Sequence, residues 1–168
     1  MALGQPKIEY KSNSEIWKMR KAGLVLAEAL DEAVAMARPG VRTEAINEVF
    51  GKVLERHNAT SNFLGYHGFP ANICASVNHE VVHGFPSDYE LKDGDVLKID
   101  GGAVVEGWHA DSARTVLVGE NIDPADQRLS DITEQAMWAG IAAAANARFV
   151  GQIGQAIDDY VTSQPGDE

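Results

Sequence analysis

The run from Val96 to Val118 does most to limit what this chain can fold into. Val96-Leu97-Lys98-Ile99-Asp100 alternates apolar and polar residues, the period of a strand with one buried face. Leu97 and Ile99 fall on one side, Lys98 and Asp100 on the other. After Gly101-Gly102 a turn around Val105-Glu106 folds the run back through Trp108-His109-Ala110-Asp111-Ser112-Ala113-Arg114-Thr115 as an antiparallel hairpin. Asp100 and Asp111 then lie equally far from the turn and face each other. Aspartate is depleted from strand interiors. Two anions in opposed positions repel, because their Cβ atoms are only about 4.5–5.5 Å apart. A hard divalent cation held between them removes that penalty. Each aspartate taken singly also reads as a turn residue or cap; the pairing is what points to a metal site.

The remainder alternates helices with short strands. Ser14 caps a helical pattern starting near Glu15, with Ile16, Met19, Leu24, Ala27 and Leu30 along one face, and Arg38-Pro39-Gly40 stops it. Thr43 caps a second helix carrying Ile46, Val49, Phe50, Val53 and Leu54, which ends near His57-Asn58. A glycine- and proline-bearing loop from Asn62 to Pro70 leads into short apolar runs at 73–77, 80–82, 96–105 and 113–118, read as a mostly antiparallel sheet. From Asn121 to Asp126 the chain returns to helix, through Leu129, Ile132, Met137 and Ala142 to Ala145, and a further helix starts at Ile153. Gly40, Ala45, Ile46 and Glu48 align with Gly151, Ala156, Ile157 and Asp159 at a constant offset of 111. A helix–glycine–helix unit thus occurs twice, although two helical hairpins can also look alike by chance. The division expected is a leader at 1–14, a first repeat at 15–120 and the start of a second at 121–168.

Charge and composition exclude several classes of function. With 25 acidic against 14 basic residues the net charge is −11, a field that repels nucleic acid and anionic lipid. The single cysteine, Cys74, rules out an intrachain disulfide and fits a reducing compartment. No apolar run reaches the length of about 18 residues that a membrane helix needs, and Met1 to Lys11 has no signal-like apolar stretch. A cytoplasmic location is expected. Gly101-Gly102 and Gly151-x-x-Gly154 make no dinucleotide fingerprint. A hydrolytic metal site usually includes histidine, and the candidates are His57, His67, His79, His83 and His109. His83, between an apolar run and the Gly84-Phe85-Pro86 turn, could present a ring nitrogen to a polar substrate group; it reads equally as a loop histidine bonded to a neighbouring carbonyl. Tyr66, Phe69 and Cys74 have the character of a small pocket lining, or of ordinary core.

Several segments, in order and spacing, resemble type I methionine aminopeptidases. They are Gly65-Tyr66-His67-Gly68-Phe69-Pro70, Ile73-Cys74-Ala75-Ser76-Val77-Asn78 and Val81-Val82-His83-Gly84-Phe85-Pro86. Leu91-x-Asp93-Gly94-Asp95, Asp100 and Trp108 to Thr115 continue the match. The resemblance implies the pita-bread α/β (α+β) fold, here its first half of two helices plus antiparallel sheet and the opening helices of the second. It implies that Asp100 and Asp111 are metal ligands for two divalent ions (cobalt, manganese, iron or zinc), with Asp111 bridging. It implies that His83 is catalytic and contacts substrate, and that Tyr66, Phe69 and Cys74 line the pocket for the methionine side chain. The substrates implied are N-terminal methionyl peptides of nascent proteins, with ribosome association as a further expectation. Phe63 stands where many bacterial members have a smaller cysteine, and Asn78-His79-Glu80 departs from the commoner Asn-Glu-Val. The family's remaining ligands, a histidine and two glutamates, and its further catalytic histidine have no counterpart after Thr162. The chain therefore reads as an amino-terminal part, expected to bind metal weakly and hydrolyse little alone. The resemblance implies a monomer, whereas here a bare sheet edge and apolar helix face predict self-association. The alternatives are a non-catalytic interaction module of the same fold, or another hydrolase of that fold such as a proline aminopeptidase.

Overall fold

A computed structural model describes residues 9–166. The chain forms two compact units, which divide between Gly119 and Glu120.

The first unit contains helix α1 (Asn13–Met36), helix α2 (Thr43–Arg56) and strands β1 (Thr60–Ser61), β2 (Ile73–Val77), β3 (Val96–Val105) and β4 (Trp108–Leu117). All strand pairings are antiparallel, and β3 is the hub. On one side it pairs with β4; on the other it pairs with β2 along 97–101 and with β1 at 103–104. Alternation along β3 sorts the two faces as its sequence requires. Leu97, Ile99, Ala103 and Val105 are buried and join one core with Val25, Leu26, Ala29 and Leu30 of α1 and Ile46, Phe50, Val53 and Leu54 of α2. Lys98, Asp100 and Gly102 alternate onto the opposite face. The result is an open antiparallel sheet with both helices on one side, the α+β arrangement expected.

Local chemistry corrects several boundaries. The N-cap of α1 is Ser12, not Ser14: its hydroxyl accepts from the Glu15 amide while the Glu15 carboxylate accepts from the Ser12 amide, a reciprocal capping box. The buried face of α1 is also rotated from the one predicted. Ala22, Ala29 and Ala33 pack inward with Val25 and Leu26, while Ile16, Met19 and Leu24 are exposed. Thr43 is the first residue of α2 rather than its cap, and its buried hydroxyl donates to the Ser87 carbonyl and accepts from the Ser87 amide. The segment 80–82 is loop, with Val81 and Val82 exposed.

That loop is fastened by Asp95. Its carboxylate accepts from Asn78 Nδ2 at 2.8 Å, from the Lys92 amide at 2.8 Å and from Tyr89 Oη at 3.0 Å. Burial acts to raise the Asp95 pKa, but these donors outweigh it and hold the carboxyl below its ordinary value. A depressed native pKa stabilises the fold above the unfolded value and loses that contribution as pH falls through the native one. Thermal melts of wild type and Asp95→Asn should therefore differ by about 1–3 kcal/mol near neutrality. The gap should close below pH of about 4, as the wild-type carboxyl protonates.

The second unit pairs helix α3 (Pro124–Ala144) with helix α4 (Gly151–Thr162). Asp123 caps α3 through a bond from the Ala125 amide, with Pro124 at the first helical position. Gly140 is the contact point, since a Cβ there would lie 2.8 Å from two atoms of Ile157. Leu129, Met137, Trp138 and Ile141 of α3 remain exposed. Among the described residues no helix is long and apolar enough to cross a membrane.

Candidate metal centre and substrate pocket

The hairpin turns at Glu106-Gly107, one residue later than predicted. Both residues have positive φ (52° and 81°), as a two-residue turn of this hand demands. Val105 therefore pairs with Trp108, Asp100 with Ala113 and Asp111 with Gly102. Asp100 and Asp111 are diagonal rather than directly opposed, and they share one face because their register differs by two. Diagonal positions are about 7–8 Å apart at Cα, wide enough for a cation to sit between two carboxylates. The rest of the face follows from the ladder: Cys74 of β2 pairs directly with Asp100, and Ser76 with Lys98.

The electrostatics match that geometry. Burial, then the Asp111 charge, push the Asp100 pKa up, and His83 offsets part of the rise. Burial and the two aspartates together raise the Cys74 thiol to about 11, leaving it an unreactive apolar wall. Neither aspartate forms an ion pair among the described residues. Two oxygen donors on one face, short of compensating cations, fit a hard divalent ion, which accepts carboxylates and retains several waters. Among the described residues no cluster of three or more His, Cys, Asp or Glu side chains is placed to hold a metal.

The segment carrying His83 is held to strand β2 at Gly84: the Ala75 amide donates to the Gly84 carbonyl at 2.9 Å, and the Gly84 amide donates to Ser76 Oγ at 3.0 Å. His83 itself has φ of 60°, a left-handed conformation that a non-glycine residue keeps only where its surroundings impose it. Gly84 has no room for a side chain: a Cβ would lie 2.7 Å from the Ala75 carbonyl oxygen and 2.8 Å from Ser76 Cα. The imidazole is thus pre-positioned beside the carboxylate pair.

A cavity of about 450 Å³ opens there, lined by Phe63, Tyr66, Phe69, Cys74, His83 and Phe85. Phe69 is its hinge, meeting Phe63 edge-on at 6.1 Å and Phe85 at 5.3 Å. Tyr66, Phe69, Cys74 and His83 are therefore gathered in one place. Phe85 was missed by sequence reasoning; its only signal was the Gly-Phe-Pro turn after His83. The other histidines lie elsewhere. His57 pairs with Glu28 at 2.8 Å, His67 stands against the Tyr66 ring, and His79 lines a separate cleft with Asn78, Glu80 and Tyr89. His109 pairs with Val104 toward the turn end of the hairpin.

Comparison with known proteins begins from this arrangement. Residues 17–166 match the metallopeptidase family M24. The chain belongs to that family. It is 42% identical over 151 residues to a methionine aminopeptidase of Clostridium perfringens, covering 90% of this chain and 60% of that one. The crystal structure of methionine aminopeptidase from Rickettsia prowazekii superposes with a TM-score of 0.86 at 37% identity, over 92% of this chain and 62% of the other. A Xaa-Pro dipeptidase of Bacillus anthracis shares the fold, at a TM-score of 0.77 and 24% identity, over 90% of this chain and 41% of that one. The M24 chain described here thus spans about three fifths of the curated relatives it matches.

Proposed function

We propose that the chain carries the methionine pocket and the first two metal-binding carboxylates of an aminopeptidase that removes N-terminal methionine. The observation supporting this most directly is the juxtaposition of Asp100 and Asp111, on one sheet face, with a cavity lined by aromatic rings, one thiol and His83. An unbranched thioether suits such a wall, because sulfur gains from contact with aromatic edges. Asp100 and Asp111 would hold the divalent ions, whose contribution is to polarise the scissile carbonyl and lower the pKa of water. The side chains do the remaining work. Tyr66, Phe69 and Phe85 exclude water around the methionine, Cys74 closes the pocket floor, and His83 offers a ring nitrogen to the peptide. The Asp100 and Asp111 charges also favour a cationic substrate amine. With two carboxylates and no larger cluster among the described residues, the 168-residue chain should bind divalent metal weakly and turn over slowly.

The reading is tested by binding rather than turnover. In Mn²⁺ or Zn²⁺, Met-Ala-Ser should shift the NMR signals of Phe69, Cys74 and His83 at lower concentration than Ala-Pro-Ser. Equal responses, or a preference for Ala-Pro-Ser, would transfer the chain to another branch of the family. No response to either peptide leaves an interaction module and ends the enzyme reading for these residues.

A further inference from the structure

One side chain on the carboxylate face has no part in the pocket or the proposed metal pair. Asn62 follows Ser61, whose partner across the ladder is Ala103, and so comes to lie beside Gly102. Gly102 in turn pairs with Asp111. The Asn62 amide lies over Gly102: a Cβ on that glycine would be 2.6 Å from Asn62 Nδ2 and 2.7 Å from its Cγ. Nδ2 continues across to donate to the Ala110 carbonyl at 3.2 Å. Asn62 Oδ1 is buried without any partner.

We propose that Asn62 is a positioning residue for Asp111, using the space above Gly102 to reach β4. The Ala110 carbonyl and the Asp111 nitrogen share one planar peptide group. A bond to that carbonyl therefore fixes the plane from which the Asp111 side chain departs. The orphaned oxygen separates this from a packing role. Burying an amide oxygen unpaired is unfavourable, and an apolar side chain would fill the same space without that cost. Asparagine is retained here for the donor it supplies, against stability rather than for it. The inference rests on the reading of Asp111 as a ligand, and its test is arranged so that the two can fail separately.

Asn62→Leu keeps the volume and removes both polar atoms. On the full 168-residue chain without metal, amide hydrogen exchange at Asp111 and Ser112 should quicken about tenfold, the equivalent of one net hydrogen bond. Exchange in β2 and the melting temperature should hold or rise. Mn²⁺ affinity should fall by a similar factor. Unchanged exchange at Asp111, or faster exchange throughout with a lower melting temperature, would overturn the proposal and make Asn62 ordinary packing. If wild type takes up no Mn²⁺ while exchange responds as described, the ligand reading of Asp111 fails and the positioning of β4 stands.

Discussion

Replacing Asp111 with asparagine should weaken Mn²⁺ or Co²⁺ binding by at least about a hundredfold, since even residues that only support ligands are worth 10–100-fold. The same change should leave the metal-free fold as stable or firmer, by up to about 1 kcal/mol. The two effects have one cause. The carboxylates share a sheet face with no ion-pair partner among the described residues, so each is a liability until a cation arrives. Asp100 shows it: burial first, and the Asp111 charge second, raise its pKa. An acid whose native pKa lies above its unfolded one destabilises the fold as pH rises between the two values. Asp111→Asn removes the second cause and keeps the first, so this loss becomes smaller without vanishing. Isothermal titration with Mn²⁺ and thermal melts at neutral pH read the two effects independently. Unchanged affinity with lower stability would mean that Asp111 serves the hairpin rather than a metal.

How much of this was legible in the sequence depended on how strong a signal each residue carries. The alternation of Leu97, Ile99 and Asp100 is unambiguous, and β3 forms as it dictates. The face of α1 was misjudged because its packing surface is built on Ala22, Ala29 and Ala33, which add little to a hydrophobic pattern. Larger residues such as Leu24 face outward and dominated the reading. The cap was decided by Glu15 standing three residues after Ser12, a reciprocal pattern that a search for the nearest serine overlooks. A one-residue error in the turn gave Asp111 the predicted partner Asp100 in place of its actual partner Gly102, although Gly107 marked the right place. The shared face survived because that error shifts register by two. Asn62 could not have been found, since its role exists only once Ser61 is paired with Ala103.

Phe50→Ala should cost about 3–5 kcal/mol, the largest stability loss expected from a single core substitution in the first unit. The side chain is fully buried, and its position explains why Asp100 is followed by glycine. A Cβ on Gly101 would lie 2.6 Å from Phe50 Cζ and 3.2 Å from Ile73 Cγ2. The ring thus lies against the β3 backbone, on the opposite face from Asp100. Removing it leaves a void beneath the strand that carries the carboxylate, and neighbouring Ile46, Val53 and Ile73 can close it only in part. Gly101→Val alone should also destabilise, by at least about 1–3 kcal/mol, because the added methyls meet the ring. Combined, the valine occupies space the phenylalanine has vacated. The double variant should therefore be more stable than the sum of the two single losses implies, by 0.5 kcal/mol or more on the scale of about 0.5–3 kcal/mol seen for contacting residues. Chemical denaturation of the four proteins measures this coupling. Strict additivity would mean that the ring and the Gly101 backbone do not compete for one space, and the support of Asp100 from below would need another source.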